Sequence, residues 1–324
     1  MDDTKAEGRA LIDRLVAQVD LVLVEPGLQP RSYDAGYDRL AALNPRVIVC
    51  RVSGQGDAGP RAAEPQHDHL VAARYGVYSQ KGWREGPTFV TAPVPSLGAA
   101  LLLVQGIGSA LLVRERTGRG QEVTTSLLAG ALAYHPGILW ALGDPPSPNP
   151  ISLGRSPLGG PPFYRLYECA DGEWLQLGCL SVAFQRRAIE VLALGDEMEA
   201  LGFGTPRAVE TNDEMAAVVQ ERLRERPSAE WAALFEQHDV PYAPARWTED
   251  LRDDPHVQAT GMAVPLHTAA GEGVQLAAAV TVDGVAFDPP EPGPEPGQHT
   301  DEVLAAAGLT TAEVARMRDA GVVA

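Results

Sequence analysis

The first fifty-six residues alternate two kinds of segment, and that alternation constrains the fold more than any other feature. Between Ala6 and Val19, Ala10, Leu11, Leu15 and Val16 recur at helical spacing, which predicts a short amphipathic helix. Leu21 to Val24 is a compact apolar run that stops at Glu25-Pro26-Gly27, the pattern of a strand meeting a turn. Tyr37 to Leu43 predicts a second helix. It ends at Asn44-Pro45 because proline pushes the residue before it out of the helical region. Val47 to Val52 is a second apolar strand, closed by Ser53-Gly54-Gln55-Gly56. Helix, strand, helix and strand at this spacing predict an α/β fold around a parallel sheet. A doubly wound sheet ordinarily opens with a strand and a glycine-rich turn, whereas this chain opens with a helix.

A long helix is predicted from Ser96 to Arg116, with Gly118 of Thr117-Gly118-Arg119-Gly120 as its left-handed cap. Its apolar stretch, Ala99 to Val113, is about 15 residues long and contains Gln105, Gly106, Gly108 and Ser109. That is short of the roughly 20 a membrane span needs and reads as a buried helix. Asp144 to Pro162, rich in Pro, Ser and Gly, reads as a linker. Tyr164 to Cys169, the Asp171-Gly172 turn and Trp174 to Cys179 then predict a β-hairpin. Helices are predicted at Val182 to Leu194, Asn212 to Glu225 and Ala229 to His238. Val274 to Val285 looks strand-like, and a last helix is predicted near Asp301 to Ala307. The changes of texture divide the chain at 1–150, 151–244 and 245–324.

Composition removes several function classes. A net charge of −17 without a basic run argues against nucleic acid or an anionic membrane surface as the main partner. Cys50, Cys169 and Cys179 make an odd set without a Cys-x-x-Cys pair, so neither a disulfide framework nor a zinc ribbon is expected. With a charged start that lacks a signal-peptide core, the expectation is a cytoplasmic protein. No metal site is expected. His238, His256 and His299 are scattered, and His135 has no ligand partner nearby. Gly54 and Gly56 lack the third glycine of a dinucleotide fingerprint, so a nicotinamide cofactor is not expected.

Four stretches, in order, resemble the family III CoA-transferases, a family that also includes the α-methylacyl-CoA racemases. They are Ala41-Ala-Leu-Asn-Pro-Arg46 followed by Ser53-Gly-Gln-Gly-Asp-Ala-Gly-Pro60; Arg114-Glu-Arg-Thr-Gly-Arg-Gly-Gln121 followed by Val123 and Ser126-Leu127; Asp254-Pro-His-Val-Gln-Ala-Thr-Gly-Met262; and Pro296-Gly-Gln-His-Thr-Asp-Glu-Val-Leu304. The resemblance implies a Rossmann-like large domain (1–150), a smaller α/β domain (151–244), and a linker with a C-terminal return to the large domain (245–324). It implies an interlocked dimer, with coenzyme A or acyl-CoA and a small carboxylic acid as substrates. It also implies an opening βαβ unit that does not precede Met1 here, so that either the sequence starts late or another polypeptide supplies the unit.

The resemblance implies aspartyl-anhydride chemistry, in which a carboxylate attacks a thioester and the released thiolate attacks the anhydride in turn. At the aspartate's position, just ahead of the long helix, this chain carries Ser96, and no Asp or Glu lies between Glu85 and Glu115. A helix N-cap is the plain structural role for that serine. His67-Asp68 matches the His-Asp of the racemases. The histidine is there one of two groups that move the α-proton, a task that suits an imidazole titrating near neutrality. The second racemase group is the aspartate replaced by Ser96, and the plain alternative for His67 is an exposed loop histidine. For coenzyme A contacts the resemblance points to Lys5, or else a frayed terminal lysine, and to Arg31. Gly159-Gly160 matches a glycine-rich loop over the active site, or else belongs to the linker. These residues leave three readings: a transferase whose activity is in doubt, a non-catalytic subunit of a heteromer, and a racemase-like isomerase using His67.

Overall fold

Alternating apolar residues on a central strand organise the first part of the molecule. The computed structural model describes residues 1–24, 32–64, 67–78, 89–134, 158–268, 271–277, 279–286 and 293–323. The chain divides into two compact units, one of Met1–Ser79, Pro87–Leu139 and Pro294–Ala324, the other of Gln80–Gly86 and Trp140–Gly293.

In the first unit, helix α1 (Ala6–Val16), strand β1 (Leu21–Val24), helix α2 (Tyr37–Leu43) and strand β2 (Ile48–Ser53) follow the predicted order. Helix α3 (Asp68–Arg74), the long helix α4 (Val94–Thr117), strand β3 (Glu122–Ser126) and helix α5 (Leu127–Tyr134) come next. The strands form one parallel sheet in the order β1-β2-β3, with Leu21 opposite Ile48 and Val49 opposite Glu122. As the middle strand, β2 is covered on both faces, and period-2 alternation sorts its side chains. Val47 and Val49 pack with Val16 and Leu40, while Ile48 and Cys50 pack with Leu103 and Ala110 of α4. The expected α/β class with a parallel sheet is what forms.

Helix α4 departs from the expectation of a buried helix. By length and composition it is apolar enough to cross a membrane. One side, including Gly98, Ala99, Leu103 and Ala110, is buried. The other leaves Leu97, Leu101, Val104 and Leu112 more than half exposed. Its end is as predicted: Gly118 adopts φ +72°, and its N–H donates to the Arg114 carbonyl. The Arg114 side chain, 8% exposed, turns back to pair with Asp20 at 2.9 Å and to reach the Arg46 carbonyl. Arg114 of the family-like segment therefore ties the end of α4 to the loops entering β1 and β2.

Residues 163–242 of the second unit close on a single core. Strands β4 (Leu166–Glu168) and β5 (Trp174–Leu177) form the predicted hairpin, and Gly172 supplies its turn at φ +79°. Helices α6 (Val182–Val191), α7 (Gly195–Ala200), α8 (Asn212–Leu223) and α9 (Ser228–Gln237) follow. Strand β6 (Tyr242–Pro244) then pairs antiparallel with β5. Phe163, Tyr167, Leu177, Met198, Met215, Trp231 and Phe235 meet in the core. Its polar atoms are satisfied locally: Tyr167 Oη donates to the Pro162 carbonyl at 2.5 Å, and Trp231 Nε1 donates to the Leu223 carbonyl at 2.9 Å.

Helix α10 (Pro255–Ala259) is capped by Asp254, whose carboxylate accepts from the backbone N–H of His256 and Val257. Two small hairpins follow, β7 (Ala263–Thr268) with β8 (Gly271–Leu276), and β9 (Thr281–Val282) with β10 (Val285–Ala286). The strand-like run 274–285 is thus split. Asp283 and Gly284 both take positive φ, the two-residue hairpin turn that an Asp-Gly pair favours. Helices α11 (Thr300–Ala306) and α12 (Thr311–Asp319) return to the first unit. There Leu304, Leu309, Val314 and Val322 pack on Leu11 of α1. A capping box of Thr310 with Glu313 starts α12.

Candidate functional site

Two of the candidate residues meet at the start of α4. Helix α3 begins at Asp68 with His67 as its N-cap residue, and the His67 carbonyl accepts from the N–H of Leu70 and Val71. From there Asp68 Oδ1 accepts a hydrogen bond from the Ser96 backbone N–H at 2.6 Å. Helix α4 starts at Val94, so Ser96 is its third residue and not the N-cap that its position suggested. The capping group comes from Asp68, a distant residue in sequence, which satisfies one of the open N–H groups of the first turn. The other carboxylate oxygen of Asp68, Oδ2, is buried without a hydrogen-bond partner.

The crossing that holds this corner together depends on two glycines. A Cβ on Gly98 would lie 2.4 Å from the Gly130 carbonyl oxygen, and one on Gly130 would lie 2.2 Å from the Pro95 carbonyl oxygen. Helices α4 and α5 therefore approach backbone to backbone. Val71, Ala72, Val77, Ala99, Leu127 and Ala131 fill the space below.

Beside Asp68 lies a group that sequence reasoning missed. His69 Nδ1 and Tyr78 Oη are 2.6 Å apart, and the Phe89 ring lies 4.9 Å from the imidazole and 5.3 Å from the phenol, centroid to centroid. Partial burial pushes the Tyr78 phenol above its ordinary pKa, and the nearby Asp68 charge adds to this, so Tyr78 keeps its proton. The only signal in the sequence was a second histidine after Asp68; the tyrosine and phenylalanine are brought in by the fold. His67 itself is exposed, and its side chain makes no capping hydrogen bond.

Cavities flank the carboxyl ends of the parallel strands, where α/β sheets ordinarily hold ligands. One of about 430 Å³ is lined by Ser53, Gly56, Asp57, Leu102, Gly106 and Thr125 among others. The other, about 460 Å³, lies along α3 and is lined by Gln55, Glu64, Leu70, Ala73 and Arg74. Ser53 Oγ and Gln55 Oε1 are buried without a hydrogen-bond partner, one at each cavity. Each is a polar atom in want of a partner.

The remaining candidates lie elsewhere. Lys5 Nζ donates to the carbonyls of Ala320 and Gly321 at 2.6 and 3.1 Å, and so caps the C-terminal end of α12. Arg31 lies outside the described residues. Gly159, at φ +134°, bridges to Arg165, and the Gly160 N–H donates to the Tyr164 carbonyl at 3.1 Å; both belong to the second unit. No group of three or more His, Cys, Asp or Glu side chains suited to a metal ion occurs among the described residues.

Similarity to known proteins is consistent along the chain. It is 29% identical to the α-methylacyl-CoA racemase of Mus musculus, over 98% of this chain and 82% of the relative. It is 25% identical to the (R)-2-hydroxy-4-methylpentanoate CoA-transferase of Clostridioides difficile, over 98% of this chain and 80% of the relative. The structure of a CaiB/BaiF family protein from Brucella suis superposes with a TM-score of 0.79 at 24% identity, covering 94% of this chain and 80% of that one, and shares the fold. The model of CoA-transferase family III matches residues 1–300, and the chain belongs to that family.

Proposed function

We propose that this protein binds an acyl-CoA in its first unit and does not carry out CoA transfer through an aspartyl anhydride. The observation that carries the reading is the absence of a carboxylate at position 96. The residue there is serine, and the carboxylate that reaches it, Asp68, spends one oxygen on the Ser96 N–H and has the other buried. An anhydride requires an oxygen that an incoming thioester carbonyl can meet. The cavities at the strand ends, with the unpaired Ser53 and Gln55 oxygens, support binding of an elongated ligand rich in amides and hydroxyls, such as the pantetheine arm.

Calorimetry with acetyl-CoA and free CoA tests the reading. Saturable binding with no CoA exchange onto a panel of small carboxylic acids is the expected result. Absence of binding sinks it for the chain alone; binding regained with a homologous chain added would make this a subunit of a heteromer. Ser96→Asp is expected to leave exchange undetectable, because Asp68 stays bonded to the backbone N–H of residue 96 and its charge opposes a second carboxylate beside it.

A second reading, movement of the α-proton of an acyl-CoA as in a racemase, is favoured by one specific observation. His69 and Tyr78, acid and base groups that need no covalent intermediate, lie 2.6 Å apart, and Tyr78 feels the charge of Asp68. The chemistry asks only that a base sit within reach of a carbon made acidic by its neighbouring thioester.

A further inference from the structure

The two cavities at the strand ends differ in their walls. The one beside β3 is lined by Ser53, Thr124, Thr125 and Ser126 among others, and hydroxyls of this kind suit the amides of a pantetheine arm. The one along α3 offers Leu70 and Ala73 to a hydrocarbon and Gln55 as its neutral polar group. We propose that the cavity along α3 receives the acyl group and that Gln55 selects an acyl group bearing a hydroxyl. The inference rests on the acyl-CoA reading above and names the substrate class within it.

The backbone on either side of Gln55 is pinned. Strand β2 ends at Ser53, and the next carbonyl, that of Gly54, accepts from the Leu128 N–H of α5 at 3.0 Å. Gly56 then takes φ +92°, a conformation that glycine adopts without strain. Between these two points Gln55 is 6% exposed and lines the cavity, and its Oε1 is buried without a hydrogen-bond partner. A buried amide oxygen left unpaired carries a desolvation cost that a donor on a ligand relieves.

The charged groups on the same wall are engaged with one another. Glu64 is held by Arg61 at 3.0 Å and by Arg74 at 3.3 Å. A carboxylate on the acyl group would have to compete with Glu64 for Arg74, whereas a hydroxyl asks for no such exchange. A hydroxyl is donor and acceptor at once, so it pairs with the Gln55 amide whichever end of the amide faces it. A plain hydrocarbon chain fills the apolar side of the cavity and leaves the amide unpaired. That is the situation in which a site discriminates against a ligand lacking the group.

The test is calorimetry on the full chain with three thioesters of equal carbon number: propionyl-CoA, 2-hydroxypropionyl-CoA and 3-hydroxypropionyl-CoA. One neutral hydrogen bond corresponds to about 2- to 10-fold in affinity. At least one of the two hydroxyacyl thioesters is therefore expected to bind about 5-fold tighter than propionyl-CoA. Gln55→Met, which keeps the length of the side chain and removes the amide, is expected to bring the three affinities within about 1.5-fold of one another. A purely structural role for Gln55 would move all three affinities together and leave their ratio as in wild type, and that result overturns the assignment. Equal binding of the three by wild type also overturns it, in a comparison that needs no variant, and acyl-CoA binding then stands without hydroxyl selection. If none of the three binds, the acyl-CoA reading itself fails and this assignment with it.

Discussion

The first unit of this chain is richer in helix and the second in strand, and the two bury their side chains differently. The second draws large side chains from both sheet and helices, among them Phe163, Tyr167, Met198, Trp231 and Phe235, into one cluster. The first divides its interior among four smaller clusters, and its longest helix turns Leu97, Leu101, Val104 and Leu112 outward. A single contiguous core couples every element to every other, whereas separate clusters couple only neighbours. The difference teaches in which kind of interior the candidate residues sit. His67, His69, Asp68 and Ser96 lie on the unit with the divided interior, on a corner held by a capping bond and a glycine crossing.

The comparison breaks first if the second unit is not the tighter one. Phe235→Ala, which empties the centre of its core, is expected to cost about 3–5 kcal/mol and to unfold that unit cooperatively in a denaturant titration. Loss of less than about 1 kcal/mol would mean the core is not continuous.

Gly130→Val is the counterpart in the first unit. Its side chain would collide with the Pro95 carbonyl and the Ala99 amide, so α4 and α5 must separate, at a cost of at least about 3 kcal/mol. Hydrogen exchange should rise in residues 94–134 and stay unchanged in residues 158–244. Exchange rising equally in both would contradict the picture of locally coupled clusters.

Asp68→Ala removes the cap on α4 and is expected to cost about 1 kcal/mol. Faster amide exchange in the first turn of α4 is the readout. A stability equal to wild type would mean that the Ser96 N–H finds another acceptor.

A smaller effect sharpens the comparison by pH. Asp13 is partly buried, which by itself raises its pKa, but hydrogen bonds from Tyr33 Oη at 2.6 Å and from Arg39 outweigh this and hold it below the usual carboxylate range. Burial and the same bond push Tyr33 up to about 12. A carboxyl with a lowered folded pKa stabilises the protein above its unfolded value near 3.9, and that contribution is lost as pH falls through the folded value. Asp13→Asn should therefore cost about 0.5–1 kcal/mol at pH 7, and the gap to wild type should close in strongly acidic buffer. A gap that does not change with pH would assign the effect to packing.

Least of all should happen to stability when Leu101 and Val104 are both changed to Gln. Exposed positions on a helix move stability by about 0.5 kcal/mol or less. Equilibrium unfolding checks this, and a loss above about 1.5 kcal/mol would show that the outward side of α4 is covered.

Much of the framework was legible in advance because it is written locally. The strands at Leu21–Val24 and Ile48–Ser53, the Gly118 cap and the Asp171-Gly172 hairpin each depend on a few neighbouring residues, and each appears where its residues predict. Helices α3 and α5, 7 and 8 residues long, were missed because they are too short to show a helical period and lack a boundary signal such as the Asn44-Pro45 that marks the equally short α2. The burial of α4 was misjudged for a related reason. An apolar helix buried all round and one with an unpaired side have the same sequence signal.

At the site, His67, Asp68 and Ser96 were readable as candidates, yet their roles were not. That Asp68 caps α4 through the Ser96 amide joins residues 28 apart, and that Tyr78 and Phe89 frame His69 joins three separate turns of chain. The sequence by itself determined the α/β class, the order of the main elements and the family, because these rest on periodicity, turn chemistry and linear motifs. Only the tertiary structure decided which carboxylate is spent on capping and which histidine has a partner. A side chain's charge state and orientation depend on the groups that fold against it, and the order of residues along the chain does not specify them.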